Sequence, residues 1–248
     1  MVLQCVYRVS RWFVTASCVV CLVSGTAHAQ VLFSQASQYP LGGGSASQND
    51  VSSGGAGLFA QSYDDFRLLS AGSIDEIHWE GGYYNGPPPP AGYISGFTLT
   101  FWSDSSFQPG SSLYSEHFAN NANETFKGVD NFGNIVFNYS STLTTPFAAT
   151  ANTRYWLSIL PDTGAQIPQW AWMLSTQGDS KSIVDFPFPH QVNSFDLAFD
   201  LEHIQAVPEP SSLSMAMFAG LALGTTAMLR RRLIQRLRSA SLINVLDD

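Results

Sequence analysis

Carboxylates are the most frequent charged side chains in this sequence, with 19 Asp and Glu residues against 11 Lys and Arg residues. Two adjacent pairs of acids, Asp64-Asp65 and Asp75-Glu76, lie close together in the chain. Oxygen ligands of this kind suit a hard cation, and an acidic domain without disulfides is a reasonable host for one. The sequence therefore predicts a structural Ca²⁺ site at Asp64, Asp65, Asp75 and Glu76 and no other cofactor. The alternative is a solvated acidic surface that keeps the protein soluble.

Five tryptophans form a second candidate binding feature. Aromatic rings that are exposed on a β-sandwich can stack on sugar rings, while neighbouring Asp and Asn side chains accept hydrogen bonds from hydroxyl groups. The alternative, which we take as the default, is that the rings fill the core, because they supply the largest apolar area. The candidate stacking residues are Trp79, Trp102, Trp156, Trp170 and Trp172.

Motifs for catalysis are weak. The sequence contains no nucleophile elbow, metalloprotease helix, phosphate-binding loop or EF-hand. Gly178-Asp179-Ser180 resembles the start of a hydrolase block, but it lies late in the chain and Lys181 follows it. A carboxylate pair for glycoside hydrolysis stays open as an alternative, because such pairs are far apart in sequence. We therefore predict that the protein is not an enzyme and assign no catalytic residue. The histidines lack the spacing of a metal-ligand motif: His78, His117, His190 and His203.

The charge is distributed unevenly along the chain. Residues 30–207 contain four Lys and Arg residues against sixteen Asp and Glu residues, a net charge of -12, whereas the whole chain carries -8. The other cations lie near the two ends. A body this acidic argues against nucleic acid as a partner, because phosphate binding needs a surplus of Lys and Arg. It also argues against anionic polymers, so a polysaccharide partner is expected to be neutral or bridged by Ca²⁺.

The first 29 residues have the pattern of a secretory signal peptide. Arg8 and Arg11 precede an uncharged apolar run over residues 12–25, and Ala27 and Ala29 form a small-x-small cleavage site. Signal peptidase is thus an expected partner. Cleavage after Ala29 would remove all three cysteines of the chain, which leaves neither a disulfide nor a thiolate nucleophile in the mature protein.

The other end combines a short motif, an apolar run and a basic cluster. Residues 207–232 begin with Val207-Pro208-Glu209-Pro210, continue through nineteen uncharged residues at 211–229 and end with Arg230, Arg231 and Arg232. This length predicts a C-terminal transmembrane helix. The arginines follow the helix, so its C-terminal end is expected to lie in the cytoplasm. Residues 233–248 are then a short cytoplasmic tail, and the body lies outside the inner membrane.

These C-terminal residues closely resemble the PEP-CTERM sorting signal of Gram-negative bacteria. The resemblance implies that an exosortase, a membrane protease or transpeptidase, recognises the Pro-Glu-Pro motif. It also implies that the inner-membrane-anchored precursor is released or attached at the cell surface. The alternative is a permanent single-span anchor. One departure is that the family usually ends soon after the arginines, whereas this chain continues to Asp248.

Short runs of alternating hydrophobicity dominate the body, residues 30–206. Residues 195–202 alternate without a break, so that the four apolar side chains face a core while Asp196, Asp200 and Glu202 face water. Residues 97–102 follow the same pattern. Nine or ten such strands between Gly-, Pro-, Ser- and Asn-rich turns predict an all-β fold, a jelly-roll-like antiparallel β-sandwich. An up-and-down barrel is the main structural alternative.

These observations together predict an exported protein of the cell surface or extracellular matrix. Its role is expected to be structural, with weak exopolysaccharide binding at most. The alternatives are a carbohydrate-active hydrolase and a dedicated carbohydrate-binding module. A hydrolase should bring two carboxylates together in an aromatic cleft, whereas a structural protein should bury its Trp rings.

Overall fold

The computed structural model describes residues 28–51, 59–165, 167–186, 189–205, 228–232 and 234–235. One compact unit is the body, Ala29–Gln205, and the other comprises Met1–His28 and Ala206–Asp248. In the second unit, residues 228–232 and 234–235 are helical, and these include the three predicted topology arginines. Within the part of the chain that is described, no helix is both long and apolar enough to span a bilayer.

Most of the predicted export and sorting segments lie outside the described residues. This holds for the signal peptide up to Ala27, for the Val207–Pro210 motif and for residues 211–227 of the predicted span. Ala29, at the predicted cleavage site, lies in the first strand. These three predictions therefore stay predictions.

The described body is built from strands, and their number exceeds the nine or ten that the sequence predicts. Short runs rich in aromatic and β-branched residues form them, with Gly, Asn and Ser in the turns between. They are β1 His28–Gln35, β2 Gly44–Ala46, β3 Gln48–Asp50, β4 Phe59–Phe66, β5 Gly72–Tyr84, β6 Ile94–Asp104, β7 Pro109–Phe118, β8 Thr125–Val129, β9 Ile135–Ala149, β10 Tyr155–Thr163, β11 Gln169–Ser175, β12 Ser182–Asp185, β13 Gln191–Asn193, β14 Asp196–Leu197 and β15 Phe199–Gln205.

The first sheet is organised around the long strand β5. Its main path runs β1-β15-β5-β11-β14, while β9 pairs with β5, β8 with β9 and β2 with β11. Trp79 of β5 lies opposite Tyr139 of β9 and opposite Phe199 of β15. The pairing of β5 with β15 also places Glu76 opposite Glu202.

The second sheet has the order β13-β12-β4-β3-β10-β6-β7, and β4 also pairs directly with β10. In that antiparallel pair Trp156 lies opposite Asp65, and Tyr155 lies opposite Phe66. Arg154 immediately precedes β10. The register therefore brings Arg154 next to the acidic end of β4.

The core lies between the two sheets and is dominated by aromatic rings. Phe97 of the second sheet packs against Trp79 and Trp170 of the first, with ring centroids 5.2 and 5.7 Å apart. Phe66 and Phe199 make a further contact of this kind at 6.4 Å. Such pairs add to the free energy gained by burying large apolar surfaces. The predicted all-β, sandwich-like body is confirmed.

Two local predictions need correction. Residues 195–202 do not form one alternating strand, because β14 ends at Leu197 and β15 begins at Phe199. Asp196, which was expected to face water, is only 2% exposed, since its carboxylate accepts backbone hydrogen bonds from Ser180 and Lys181. The Gly- and Ser-rich composition of residues 42–57 predicts a flexible loop, but its described part, residues 42–51, contains β2 and β3.

Candidate functional site

Asp64 and Asp65 lie side by side in β4, where they meet two carboxylates from later in the chain. Asp196 lies in β14, and Asp179 lies in the loop after β11. The charge of Asp196 acts on both Asp64 and Asp65, and that of Asp179 acts on Asp65. Asp64 and Asp65 belong to the second sheet, while Asp196 belongs to the first and Asp179 follows a strand of the first, so the packing of one sheet on the other brings the four together. We call these four residues the carboxylate cluster.

Asp64 is the most deeply buried member of the carboxylate cluster and has no solvent exposure. Its Oδ2 accepts hydrogen bonds from Gln35 Nε2, at 2.9 Å, and from the backbone N–H of Leu197. Burial raises the pKa of Asp64 well above its usual range, and the Leu197 hydrogen bond opposes that rise only in part. Asp64 therefore links β1, β4 and β14, which is a structural role.

Asp65 is the member that faces an arginine. Arg154 Nη1 lies 2.9 Å from Asp65 Oδ2 and 3.4 Å from Asp179 Oδ2, so one nitrogen serves two carboxylates. Burial raises the pKa of Asp65 to about 7, and the negative charge of Asp179 adds to the rise, while Arg154 opposes it. The guanidinium of Arg154 also lies 4.8 Å from the centre of the Phe107 ring.

The pair of Asp65 and Arg154 is only half satisfied. Asp65 Oδ1 and Arg154 Nε are both shielded from solvent and have no hydrogen-bond partner among the described residues. The side chains themselves are 7% and 11% exposed. An unpaired buried polar atom costs free energy, so the two unpaired atoms lower the stability that this ion pair contributes.

These two residues line an open cleft of about 450 Å³, which we call the Asp65 cleft. The cleft combines two arginines, two carboxylates, an amide and two phenyl rings. Its lining residues are Phe33, Gln35, Asp65, Phe66, Arg67, Arg154, Gly178 and Asp179.

The loop that carries Asp179 is held in place by backbone constraints. Gly178 has φ +114, and a Cβ at this position would lie 2.2 Å from Gln35 Oε1 and 2.6 Å from Asp196 Cγ. The carboxylate of Asp196 accepts hydrogen bonds from the backbone N–H groups of Ser180 and Lys181, at 2.8 and 3.0 Å. Glycine at 178 and the buried Asp196 thus position Asp179 beside Arg154.

The raised pKa of Asp65 and the neighbouring guanidinium group determine the chemistry that the Asp65 cleft could perform. With a pKa of about 7, Asp65 exchanges a proton near neutral pH, as a general acid or base must do. The same arrangement of carboxyl and guanidinium groups also offers donors and acceptors for the hydroxyl groups of a sugar. Acid–base catalysis and hydroxyl recognition are therefore the two functions that the geometry allows.

Comparison with known protein families places most of this body in one domain. Residues 42–202, more than half of the chain, match the family described as Domain of unknown function (DUF7901). The chain belongs to this family. No curated protein and no solved structure matches the chain. The DUF7901 domain includes the whole carboxylate cluster and Arg154, whereas the predicted export and sorting segments lie outside it.

Four of the five candidate stacking tryptophans of the DUF7901 domain are buried. Trp79, Trp156, Trp170 and Trp172 are at most 1% exposed, so their rings cannot stack on a sugar in the folded domain. The default interpretation, core packing, describes these four rings, because burial of a large ring gains more free energy than exposure. Trp102 is half-buried, and its Nε1 donates to Ser158 Oγ at 2.9 Å.

The four residues of the predicted calcium site take part in three different groups of contacts. Asp64 and Asp65 belong to the carboxylate cluster. Asp75 accepts hydrogen bonds from His203 and from the backbone N–H of Ile204. Glu76 lies beside His78 and Glu202, and in the described residues these three form the group whose ligand atoms are close enough to share a metal ion. Calcium binding stays a prediction.

Sequence reasoning missed three members of the site. Arg154 looked like an isolated cation, and Asp196 looked like a solvent-facing strand residue. Asp179 stood in a weak hydrolase-like motif, which was the one signal that could have indicated it. Arg154 reaches Asp65 through the pairing of β10 with β4, whereas Asp179 and Asp196 reach it through the packing of one sheet on the other.

Proposed function

We propose that this chain is an exported structural protein of the cell surface or extracellular matrix that binds neutral exopolysaccharide weakly and is not an enzyme. In this proposal the DUF7901 domain is a jelly-roll-like sandwich. The chain passes through the inner membrane as a precursor, and an exosortase then processes it at Val207–Pro210. The sequence of the two ends supports the route, since a signal-peptide pattern and a sorting motif followed by a span and three arginines occur in the required order.

The proposed structural role rests on one observation, the burial of the large tryptophan rings. Trp79, Trp170 and Trp172 stabilise the two sheets from within, and Trp156 packs on the outer face of the second sheet, in a domain that has no cysteine. A module specialised for tight sugar binding would expose such rings on a binding face. The same residues here provide a stable body that does not depend on a disulfide, which suits an extracellular structural protein.

The Asp65 cleft supports the weak binding. The carboxylates, guanidinium groups and amide that line it would accept from and donate to hydroxyl groups, and the cleft is open. The net charge of -12 over residues 30–207 disfavours acidic polymers, because they would be repelled. Neutral sugars are thus the chemical class that fits.

A glycan array probed with the purified full chain tests this proposal. We expect weak retention of neutral glycans, which Asp65→Asn reduces. Asp185→Asn is the matched control, because Asp185 hydrogen-bonds Tyr63 outside the cleft and this change should leave retention unaltered. If no glycan is retained, the binding proposal is wrong.

One observation favours a second function, carbohydrate hydrolysis. Asp65, with a pKa of about 7, and Asp179 share the Nη1 of Arg154, which resembles the acid and carboxylate pair of a glycosidase. Incubation of the full chain with neutral polysaccharides distinguishes the two functions. Release of reducing ends that both Asp65→Asn and Asp179→Asn abolish would establish the hydrolase and overturn the structural proposal.

A further inference from the structure

The antiparallel pair of β5 and β15 brings four ionisable residues together on one face of the first sheet. Glu76 lies opposite Glu202, and His78 lies opposite Asp200. Directly opposite residues of an antiparallel pair share a face, as do residues two positions apart in one strand. All four side chains are only partly exposed.

Three of these side chains converge without hydrogen-bonding one another. His78 Nε2 lies 3.4 Å from Glu76 Oε1 and 3.7 Å from Glu202 Oε2, and one ligand atom from each residue lies within 4.8 Å of the others. Hydrogen bonds from a ring nitrogen to a carboxylate are shorter, at about 2.7–3.2 Å. Metal–ligand distances of about 2.0–2.1 Å place the ligands of a tetrahedral Zn²⁺ ion about 3.4 Å apart. The two distances from His78 Nε2, 3.4 and 3.7 Å, are close to the edge of such a tetrahedron.

The charges at this place are unbalanced. Like charges directly opposite each other destabilise a sheet, and here Glu76 faces Glu202 while Asp200 lies two residues from Glu202. Among the described residues, no Lys or Arg forms an ion pair with Glu76, Asp200 or Glu202; the nearby Lys127 pairs with Glu80. A cation with two positive charges would relieve this repulsion.

Asp200 provides an independent observation. Its Oδ1 is shielded from solvent and has no hydrogen-bond partner in the described part of the chain. Asp200, His78 and Glu202 also line one pocket of about 220 Å³. A buried carboxylate oxygen without a partner is costly unless a donor or a cation reaches it.

We infer that Glu76, His78 and Glu202 form a site for a divalent transition-metal ion such as Zn²⁺, with a carboxylate oxygen of Asp200 as the fourth ligand. One imidazole nitrogen and several carboxylate oxygens suit Zn²⁺ and its neighbours, whereas Ca²⁺ prefers six to eight oxygen ligands. The ion crosslinks β5 to β15, which are more than 100 residues apart in the chain. The site is separate from the Asp65 cleft and does not depend on the proposed function.

Isothermal titration of the full chain with ZnCl₂ and, separately, with CaCl₂ tests this site. The background replaces the three cysteines with serine so that thiolates cannot bind the metal: Cys5, Cys18 and Cys21. We expect one equivalent of Zn²⁺ to bind and to raise the Tm, and Ca²⁺ to have no such effect. Binding of Ca²⁺ in place of Zn²⁺ would overturn the assignment, as would the absence of stoichiometric Zn²⁺ binding.

Single substitutions identify the ligands. His78→Asn should abolish the Zn²⁺-dependent rise in Tm, and Asp200→Asn should weaken Zn²⁺ binding by roughly tenfold. His190→Asn is the matched control, because His190 also lies beside a carboxylate, that of Asp185, but has no second acid in its ion pair. If His78→Asn binds Zn²⁺ as tightly as the control does, the inference is wrong.

Discussion

Arg154 Nη1 lies 2.9 Å from Asp65 Oδ2, and this contact joins the start of β10 to the end of β4. The pairing is incomplete, since Asp65 Oδ1 and Arg154 Nε both lack partners in the described residues. The net charge of the pair therefore depends strongly on pH and on its neighbour Asp179. Changes at this contact should be visible both in stability and in ligand binding.

Stability should fall as the pH rises towards neutrality. The pKa of Asp65 is raised to about 7, so between about pH 4 and pH 7 the folded chain keeps a proton that the unfolded chain has lost. The contribution of that proton is fully present below the pKa of the unfolded chain and is lost as the pH rises through 7. The slope is at most about 1.4 kcal/mol per pH unit for this group.

Urea unfolding of the full chain at a series of pH values measures this slope. Asp65→Asn should reduce the slope of the unfolding free energy against pH by the contribution of one proton. Asp64, whose pKa is also raised, keeps its own contribution to that slope. Asp185→Asn serves as the control and should leave the slope as it is. An unchanged slope in Asp65→Asn would show that Asp65 does not titrate in this range.

Arg154→Gln should destabilise the protein, and the effect should depend on pH. The change leaves Asp65 and Asp179 close together without their shared cation, which costs about 3 kcal/mol when both are ionised. At pH 5 Asp65 is protonated, so the loss should be smaller than at pH 8. The free energy of unfolding at these two pH values measures the effect. Arg67→Gln is the matched control, because Arg67 is exposed and its change should stay within about 0.5 kcal/mol.

Gly81→Ala should destabilise the sheet through a steric clash. Gly81 in β5 lies beneath the ring of Trp170 in β11, and an added Cβ would lie 2.1 Å from Trp170 Cζ2. The ring is fully buried and cannot move away, so we expect a loss of about 1–3 kcal/mol in urea unfolding. Gly164→Ala is the control, since its Cβ would meet Tyr93 O at an ordinary 3.5 Å. Equal effects of the two changes would contradict this packing.

Replacement of Pro208-Glu209-Pro210 by alanines should hold the protein in the membrane. Proline disfavours helix at its own position and at the preceding residue, and the exosortase is expected to read the motif as an extended segment. Immunoblots of membrane, surface and medium fractions measure the effect. The matched control replaces Pro87, Pro88 and Pro89, a proline run inside the body, and deletion of residues 233–248 should likewise change little. Unchanged surface and medium levels in the motif variant would make the sorting proposal wrong.

The sequence by itself determined the class of the fold and the inward face of several strands. Phe97, Leu99 and Phe101 alternate with polar neighbours, and all three are fully buried in β6. Such a pattern is local, because the side chains of a strand alternate between two faces whatever the strand pairs with. The alternation does not predict the burial of Trp156 in β10. Both faces of β10 are covered there, because Tyr63 and Ile183 from other strands pack on its outer face.

The tertiary structure alone decided which charged residues meet. Asp65 meets Arg154 because β4 pairs with β10, and Glu76 meets Glu202 because β5 pairs with β15. No local pattern records these pairings, because partners far apart in the chain are selected by the packing of the two sheets as a whole. The sequence therefore predicts how many acids the body carries, while the fold determines which of them share an arginine and which surround a histidine.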